Sequence, residues 1–153
     1  MKEKLVELLT KRKETISCCE SLTAGLCMAT IASVSGASAV LKGGFVTYQS
    51  QCKHEFVHVR QSTIDQYGVV SKECAIEMAQ NTLEITQSDY ALSFTGNAGP
   101  SAMENKPAGL VYCAIASKEK VEVYEFHLNM ERNELRQYIV DTMIDKLTKQ
   151  LEE

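Results

Sequence analysis

Short apolar runs rich in β-branched residues alternate along this 153-residue chain with segments of helical periodicity, and that order constrains the fold more than any single residue. Leu5, Val6, Leu8 and Leu9 recur at helical spacing among lysines and glutamates, which predicts an amphipathic helix over residues 2–13. Thr15 to Cys19 reads as a short buried strand, and Glu20-Ser21-Leu22-Thr23-Ala24-Gly25 as the turn into a helix of small residues, Leu26 to Val34. After a loop from Ser35 to Lys42, the run Gly43 to Ser50 alternates aromatic and β-branched residues. It predicts a second strand, followed by a short helix from about Lys53 to Val59. Ser71 is a candidate N-cap for a helix reaching Thr86, with Cys74, Met78 and Leu83 on its apolar face. Tyr90 to Thr95 is then a strand, and Gly96 to Pro107 a loop punctuated by glycine and proline. Gly109–Ala116 and Val121–Leu128 form a hairpin across Ser117-Lys118-Glu119-Lys120, and Leu135, Ile139, Met143, Leu147 and Leu151 mark the last helix. Strands parted by helices favour a parallel sheet covered on both faces, to which the late hairpin adds an antiparallel edge. The expected class is α/β: an α/β/α sandwich with a mixed, mostly parallel sheet.

A chain of this length buries roughly 70% of the surface its unfolded form exposes, enough for one core and too little for two. Residues 1–153 are therefore expected to form a single domain. With 16 Lys+Arg against 20 Asp+Glu the net charge is -4, which excludes a basic arm for direct nucleic-acid binding. No apolar run approaches the roughly 20 residues that span a bilayer, so no membrane partner is expected. Met1 to Arg12 lacks the apolar core of a secretory signal, so a cytoplasmic location is expected for the chain. Its six cysteines are scattered, form no CxxC pair and sit mostly among apolar residues. They read as small core residues of a reducing compartment rather than a disulfide framework or zinc site.

Three constellations point to chemistry. His54-Glu55-Phe56-Val57-His58 matches H-E-x-x-H, in which two histidines one helical turn apart hold zinc and the glutamate activates water. The same five residues also fit two histidines on a solvated helix face, and the remaining histidine, His127, lies on an expected strand. Ser21 sits where a strand turns into a helix, beside Thr23 and Gly25. There the helix N-terminus offers N–H groups to an anion, and a serine is placed either to cap the helix or to act as a nucleophile. No G-x-S-x-G surrounds Ser21, so its base would be a lysine, for which Lys53, just past a strand end, is the candidate. Thr95-Gly96-Asn97-Ala98-Gly99-Pro100 also ends a strand, and its glycines fit a close approach of main-chain N–H groups to a ligand or an ordinary wide turn. Arg132 and Arg136 open the last helix, where the dipole disfavours cations; an anionic ligand or a carboxylate such as Glu131 would account for them.

Taken in order, Glu20–Gly25, Gly43-Gly44-Phe45-Val46-Thr47-Tyr48, Lys53, Tyr67-Gly68-Val69-Val70-Ser71, Thr95–Pro100 and Lys106-Pro107-Ala108-Gly109 resemble the CinA C-terminal domain family. The resemblance runs from about residue 3 to 150. Members of that family include nicotinamide-nucleotide amidohydrolases, which convert nicotinamide mononucleotide to nicotinate mononucleotide and ammonia without a metal. The resemblance thus implies a hydrolase with a small-molecule nucleotide substrate, no cofactor and a homo-oligomeric assembly. It places the nucleophile at Ser21, its lysine partner at Lys53 and a further catalytic position at Tyr48. Thr23, Gly25, Thr95, Gly96 and Arg132 are the implied substrate contacts. The alternatives are a non-catalytic nucleotide-binding or protein-interaction module linked to competence or DNA damage, and the zinc hydrolase of His54, Glu55 and His58.

The sequence departs from the family pattern at four places. Gln49-Ser50-Gln51-Cys52 precedes Lys53 where an acidic residue is usual, which removes a carboxylate that would hold the lysine pKa up. Ser101-Ala102-Met103 stands in a usually glycine-rich loop, Met130-Glu131-Arg132 where Gly-Asp-Arg is usual, and Asn97 where an apolar residue is common.

Overall fold

The computed structural model describes residues 1–153. The chain forms α1 (Lys2–Arg12), β1 (Ile16–Glu20), α2 (Leu26–Ala32), β2 (Leu41–Val46), α3 (Ser50–Val57) and α4 (Gln61–Tyr67). It continues through α5 (Lys72–Thr86), β3 (Tyr90–Gly96), β4 (Leu110–Ala116), β5 (Val121–His127) and α6 (Arg132–Glu152). The sheet order is β2-β1-β3-β4-β5. β1 pairs in parallel with β2 and β3, whereas β3–β4 and β4–β5 are antiparallel, so β4 alone runs against the others. The α/β class and its mixed, mostly parallel sheet are as expected.

Two-residue alternation on the central strands divides the interior into two layers. Ile16 and Cys18 of β1, Leu92 and Phe94 of β3, and Val111, Cys113 and Ile115 of β4 face α1, α2 and α6. On α6 the stripe Leu135, Ile139, Met143 and Leu147 is buried against them. On the opposite face, Ala91, Ala114 and Ala116 meet Ala75 and Ala79 of α5, and these small side chains bring the helix close to the sheet. Further along that face, Cys19, Val57, Val59, Val69, Val70, Cys74 and Met78 close a second apolar cluster beneath α3 and α4.

Boundaries differ from the expectations where one side chain decides them. β2 begins at Leu41 and ends at Val46, so Thr47 and Tyr48 lie in the turn beyond it rather than in the strand. Gly44 permits that strand to lie close to its neighbour: a Cβ there would fall 2.0 Å from the Cys18 carbonyl oxygen. The helix expected from Lys53 starts at Ser50 and stops at Val57, because His58 adopts a left-handed conformation (φ 61°). α4 was not expected from the sequence; it buries only Thr63 and so has almost no apolar stripe to read. Ser71 does cap α5, its hydroxyl accepting from the Cys74 N–H at 3.1 Å. No helix is long and apolar enough to cross a membrane.

Candidate active site

The carboxyl ends of β1 and β3, lying side by side and parallel, open onto a cavity of about 170 Å³. Such a crevice is where open α/β sheets bind ligands. Its floor is Ser21. The Ser21 N–H continues the strand pairing by donating to the Phe94 carbonyl at 3.0 Å, which fixes the residue's backbone in register with Thr95. The turn after it is held from behind by Glu20, whose carboxylate is fully buried and accepts from the Cys27 and Met28 N–H groups of α2 at 2.8 and 2.9 Å. These donors at the start of α2 are therefore engaged, and the expectation that they would serve an external anion is corrected. Ser21 does not cap a helix either, because the residue at the N-cap of α2 is Gly25.

Lys53 reaches Ser21 from α3. Its ammonium nitrogen donates to Ser21 Oγ at 3.0 Å and to the Thr47 carbonyl at 2.8 Å, while Ser21 Oγ donates to the Tyr48 carbonyl at 3.4 Å. The lysine is 1% exposed, and burial pushes its pKa below the ordinary 10.5. Cys74, Cys19 and Cys52, and also Glu104, pull the other way. Burial raises the Cys19 and Cys74 thiols to about 11 and about 12, so both are neutral at pH 7 and exert no thiolate attraction there. Desolvation thus wins at Lys53.

The expected residues divide into those at the cavity and those away from it. Ser21, Lys53, Tyr48, Thr95, Gly96 and Arg132 all line it. Arg132 crosses the mouth, donating to the Gly99 carbonyl at 2.7 Å and to the Tyr48 phenol oxygen at 2.9 Å. Thr95 is buried with its hydroxyl donating to the Val69 carbonyl, so it shapes the wall. Gly96 is explained by packing, since a Cβ there would meet Val111 Cα at 2.7 Å. Thr23 and Gly25 do not line the cavity, and their expected role as substrate contacts is corrected: Thr23 is fully buried and Gly25 supplies the left-handed turn (φ 97°) into α2. Arg136 is bound to the protein itself, donating to the Leu22 and Thr23 carbonyls at 2.9 and 3.0 Å.

The zinc reading fails on backbone geometry. H-E-x-x-H needs both histidines on one helix, but His58 has left it, and the His54 ring nitrogen Nδ1 pairs with the Val59 carbonyl at 2.8 Å. No group of three or more His, Cys, Asp or Glu side chains is arranged to hold a metal ion. A wider open groove of about 880 Å³ lies between α1, α2 and α6, remote from Ser21 and Lys53.

The sequence marks Ser101-Ala102-Met103 as a departure from the family loop but not what holds that loop over the cavity. Met103 overhangs it because Glu104 accepts from the Val69 and Val70 N–H groups at 3.0 Å each, and Lys106 donates to the Tyr67 carbonyl at 2.8 Å. These contacts tie the loop after β3 to the entry of α5. Glu104 and Asn105 turn the loop through the left-handed region (φ 54° and 57°), and a glutamate in a loop does not announce such a docking.

Residues 1–151 match the family described as the CinA C-terminal domain. A protein of Levilactobacillus brevis named for competence-damage induction is 44% identical over 149 residues, covering 97% of this chain and 36% of that protein. A CinA-like protein of Endomicrobium trichonymphae is 39% identical over 145 residues, 94% of this chain and 34% of its own length. The chain spans about a third of the length of these curated relatives. Among solved structures, the competence/damage inducible protein CihA of Agrobacterium tumefaciens superposes with a TM-score of 0.89 at 31% identity, covering 98% of this chain and 96% of that one. A CinA superfamily protein of Klebsiella pneumoniae gives 0.95 over 99% and 95% of the two chains; at 24% identity it speaks to the fold alone.

Proposed function

Because this chain belongs to the CinA C-terminal domain family, we propose that it is a metal-independent amidohydrolase that cleaves the carboxamide of nicotinamide mononucleotide. The observation that carries the reading is the buried contact of 3.0 Å between Lys53 and Ser21 at the floor of the cavity. A lysine with the ordinary pKa is neutral in only about 3 molecules in 10⁴ at pH 7, and each unit of lowering multiplies that fraction tenfold. In the neutral form one N–H stays on the Thr47 carbonyl and the lone pair faces Ser21, reversing the direction of the hydrogen bond.

Ser21 Oγ attacks the carboxamide carbon while Lys53 takes its proton. The donor proposed for the tetrahedral oxyanion is the Leu22 N–H, which follows Ser21 and donates to no acceptor in the chain. Lys53 returns the proton to the departing nitrogen, ammonia leaves, and an acyl ester remains on Ser21. Water, deprotonated by Lys53, hydrolyses that ester to the carboxylate and regenerates the serine. A cavity of about 170 Å³ suits one aromatic ring, since about 150 Å³ holds a benzene. The sugar and phosphate then extend past Arg132, whose guanidinium is poised by Tyr48 and Gly99 for an anion.

The test is ammonia release from nicotinamide mononucleotide with and without chelator, using wild type, Ser21→Ala and Lys53→Met. Chelator-insensitive release is expected, with each variant losing at least about 10³-fold in kcat. Retention of most activity by folded Ser21→Ala rejects the mechanism, and absence of release from the wild type rejects the substrate.

A further inference from the structure

Asn97 is 5% exposed and lines the Ser21 cavity, yet its side-chain nitrogen Nδ2 is buried with no acceptor in the protein. Its orientation is not free. The side-chain oxygen accepts from the Gly99 N–H at 3.1 Å, and turning the amide over would set NH₂ against N–H. The backbone is held as well, by Asn97 N–H donating to the Leu110 carbonyl at 2.9 Å. Nearly all buried donors in folded proteins are satisfied, and one left unpaired at a cavity wall calls for an acceptor brought by a ligand.

Strand geometry indicates which part of a ligand that is. Ser21 stands in register with Thr95, because the pairing Glu20↔Phe94 precedes it. Asn97 follows the last residue of β3, its N–H still pairs with the Leu110 carbonyl, and it lines the same cavity as Thr95, which sets it outward of Thr95 by on the order of 7 Å along the strand direction. The reacting carboxamide is held at the level of Ser21 itself. A donor one row out meets the substituent carried by the ring, on the path from the floor to Arg132 at the mouth.

We infer that Asn97 is a specificity-determining residue whose side-chain NH₂ donates to a sugar oxygen of the nucleotide substrate. This rests on the reading of the cavity as an amidohydrolase site. Asn97 binds substrate and transition state equally, so it sets KM and leaves kcat to Ser21 and Lys53. It also selects against amides that present no acceptor at that position.

The experiment is steady-state ammonia release from nicotinamide mononucleotide by wild type, Asn97→Asp and Asn97→Leu, with thermal melts to confirm folding. Asn97→Asp keeps the acceptor for Gly99 and replaces only the donor; Asn97→Leu removes the donor without adding a charge near a phosphate. A rise in KM of about 10- to 100-fold in both variants, with kcat within threefold, is expected. KM within twofold of wild type, or a fall in kcat at unchanged KM, overturns the assignment and leaves the amidohydrolase reading standing. Absence of turnover in the wild type refutes that reading, and the Asn97 assignment falls with it.

Discussion

Replacing Glu20 by glutamine tests how the Ser21 turn is held in place. Both carboxylate oxygens accept from main-chain N–H groups at the first turn of α2, at 2.8 and 2.9 Å, in a site with no exposure to solvent. Glutamine keeps one acceptor and turns an NH₂ toward the second N–H. The lost charge-assisted bond is worth about 1.5–3 kcal/mol, and the stranded donors about 1–3 kcal/mol. Loss of the negative charge at a helix N-terminus adds about 1 kcal/mol. Against this, a neutral amide is cheaper to bury than a carboxylate, which offsets about half of the sum. The net expectation is a loss of about 2–3 kcal/mol, a fall in Tm of about 4–12 °C for a chain of this size. Urea unfolding followed by circular dichroism gives the free energy, and an unchanged m-value shows that the two end states are comparable. Because Ser21 is the next residue, kcat for ammonia release should fall as well. Stability unchanged within about 0.5 kcal/mol, or raised, would show that desolvation of the carboxylate outweighs its two bonds and refute the reasoning.

Three further outcomes are expected from the buried lysine and from the β1–β2 contact. With Lys53 depressed by burial, kcat/KM should rise with pH through a pKa below 10.5 and level off above it, whereas Lys53→Arg should show no such limb. The folded state binds fewer protons than the unfolded one between the lowered pKa and 10.5. Wild-type stability should therefore increase with pH across that window, an increment absent from Lys53→Met in denaturant titrations at stepped pH. Gly44→Ala puts a methyl 2.0 Å from the Cys18 carbonyl oxygen, a backbone atom that cannot swing away. It should lower stability by about 2–3 kcal/mol; a melt within 1 °C of wild type would mean that β2 shifts freely.

The fold was readable where one residue type repeats at a fixed period. The leucine and isoleucine stripe of α6, the Ser71 cap and the short buried runs of β1 and β3 each state their own structure. The site was readable in part: Ser21 and Lys53 follow strand ends, and motif order tied them together before any distance did. What stayed hidden depends on contacts distant in sequence. Nothing in Glu20 announces a carboxylate turned back onto α2 seven and eight residues later. Thr23 and Gly25 looked like ligand contacts because they flank Ser21, but the turn sends one into the core and spends the other on backbone conformation. Periodicity does not separate Arg132 from Arg136, one helical turn apart; the resemblance favours Arg132, and the fold sets it at the cavity and Arg136 on the carbonyls of the serine turn.

The pieces of the cavity are also far apart in the order of synthesis. Ser21 meets Lys53 across 32 positions, and Arg132 meets Tyr48 across 84. Loops of that length close late, after local helices have formed. A growing chain therefore exposes its serine and its lysine well before α6 emerges to complete the mouth. The proposed hydrolysis should be the last property to appear on refolding, lagging helical signal, so that turnover would report complete assembly rather than secondary structure.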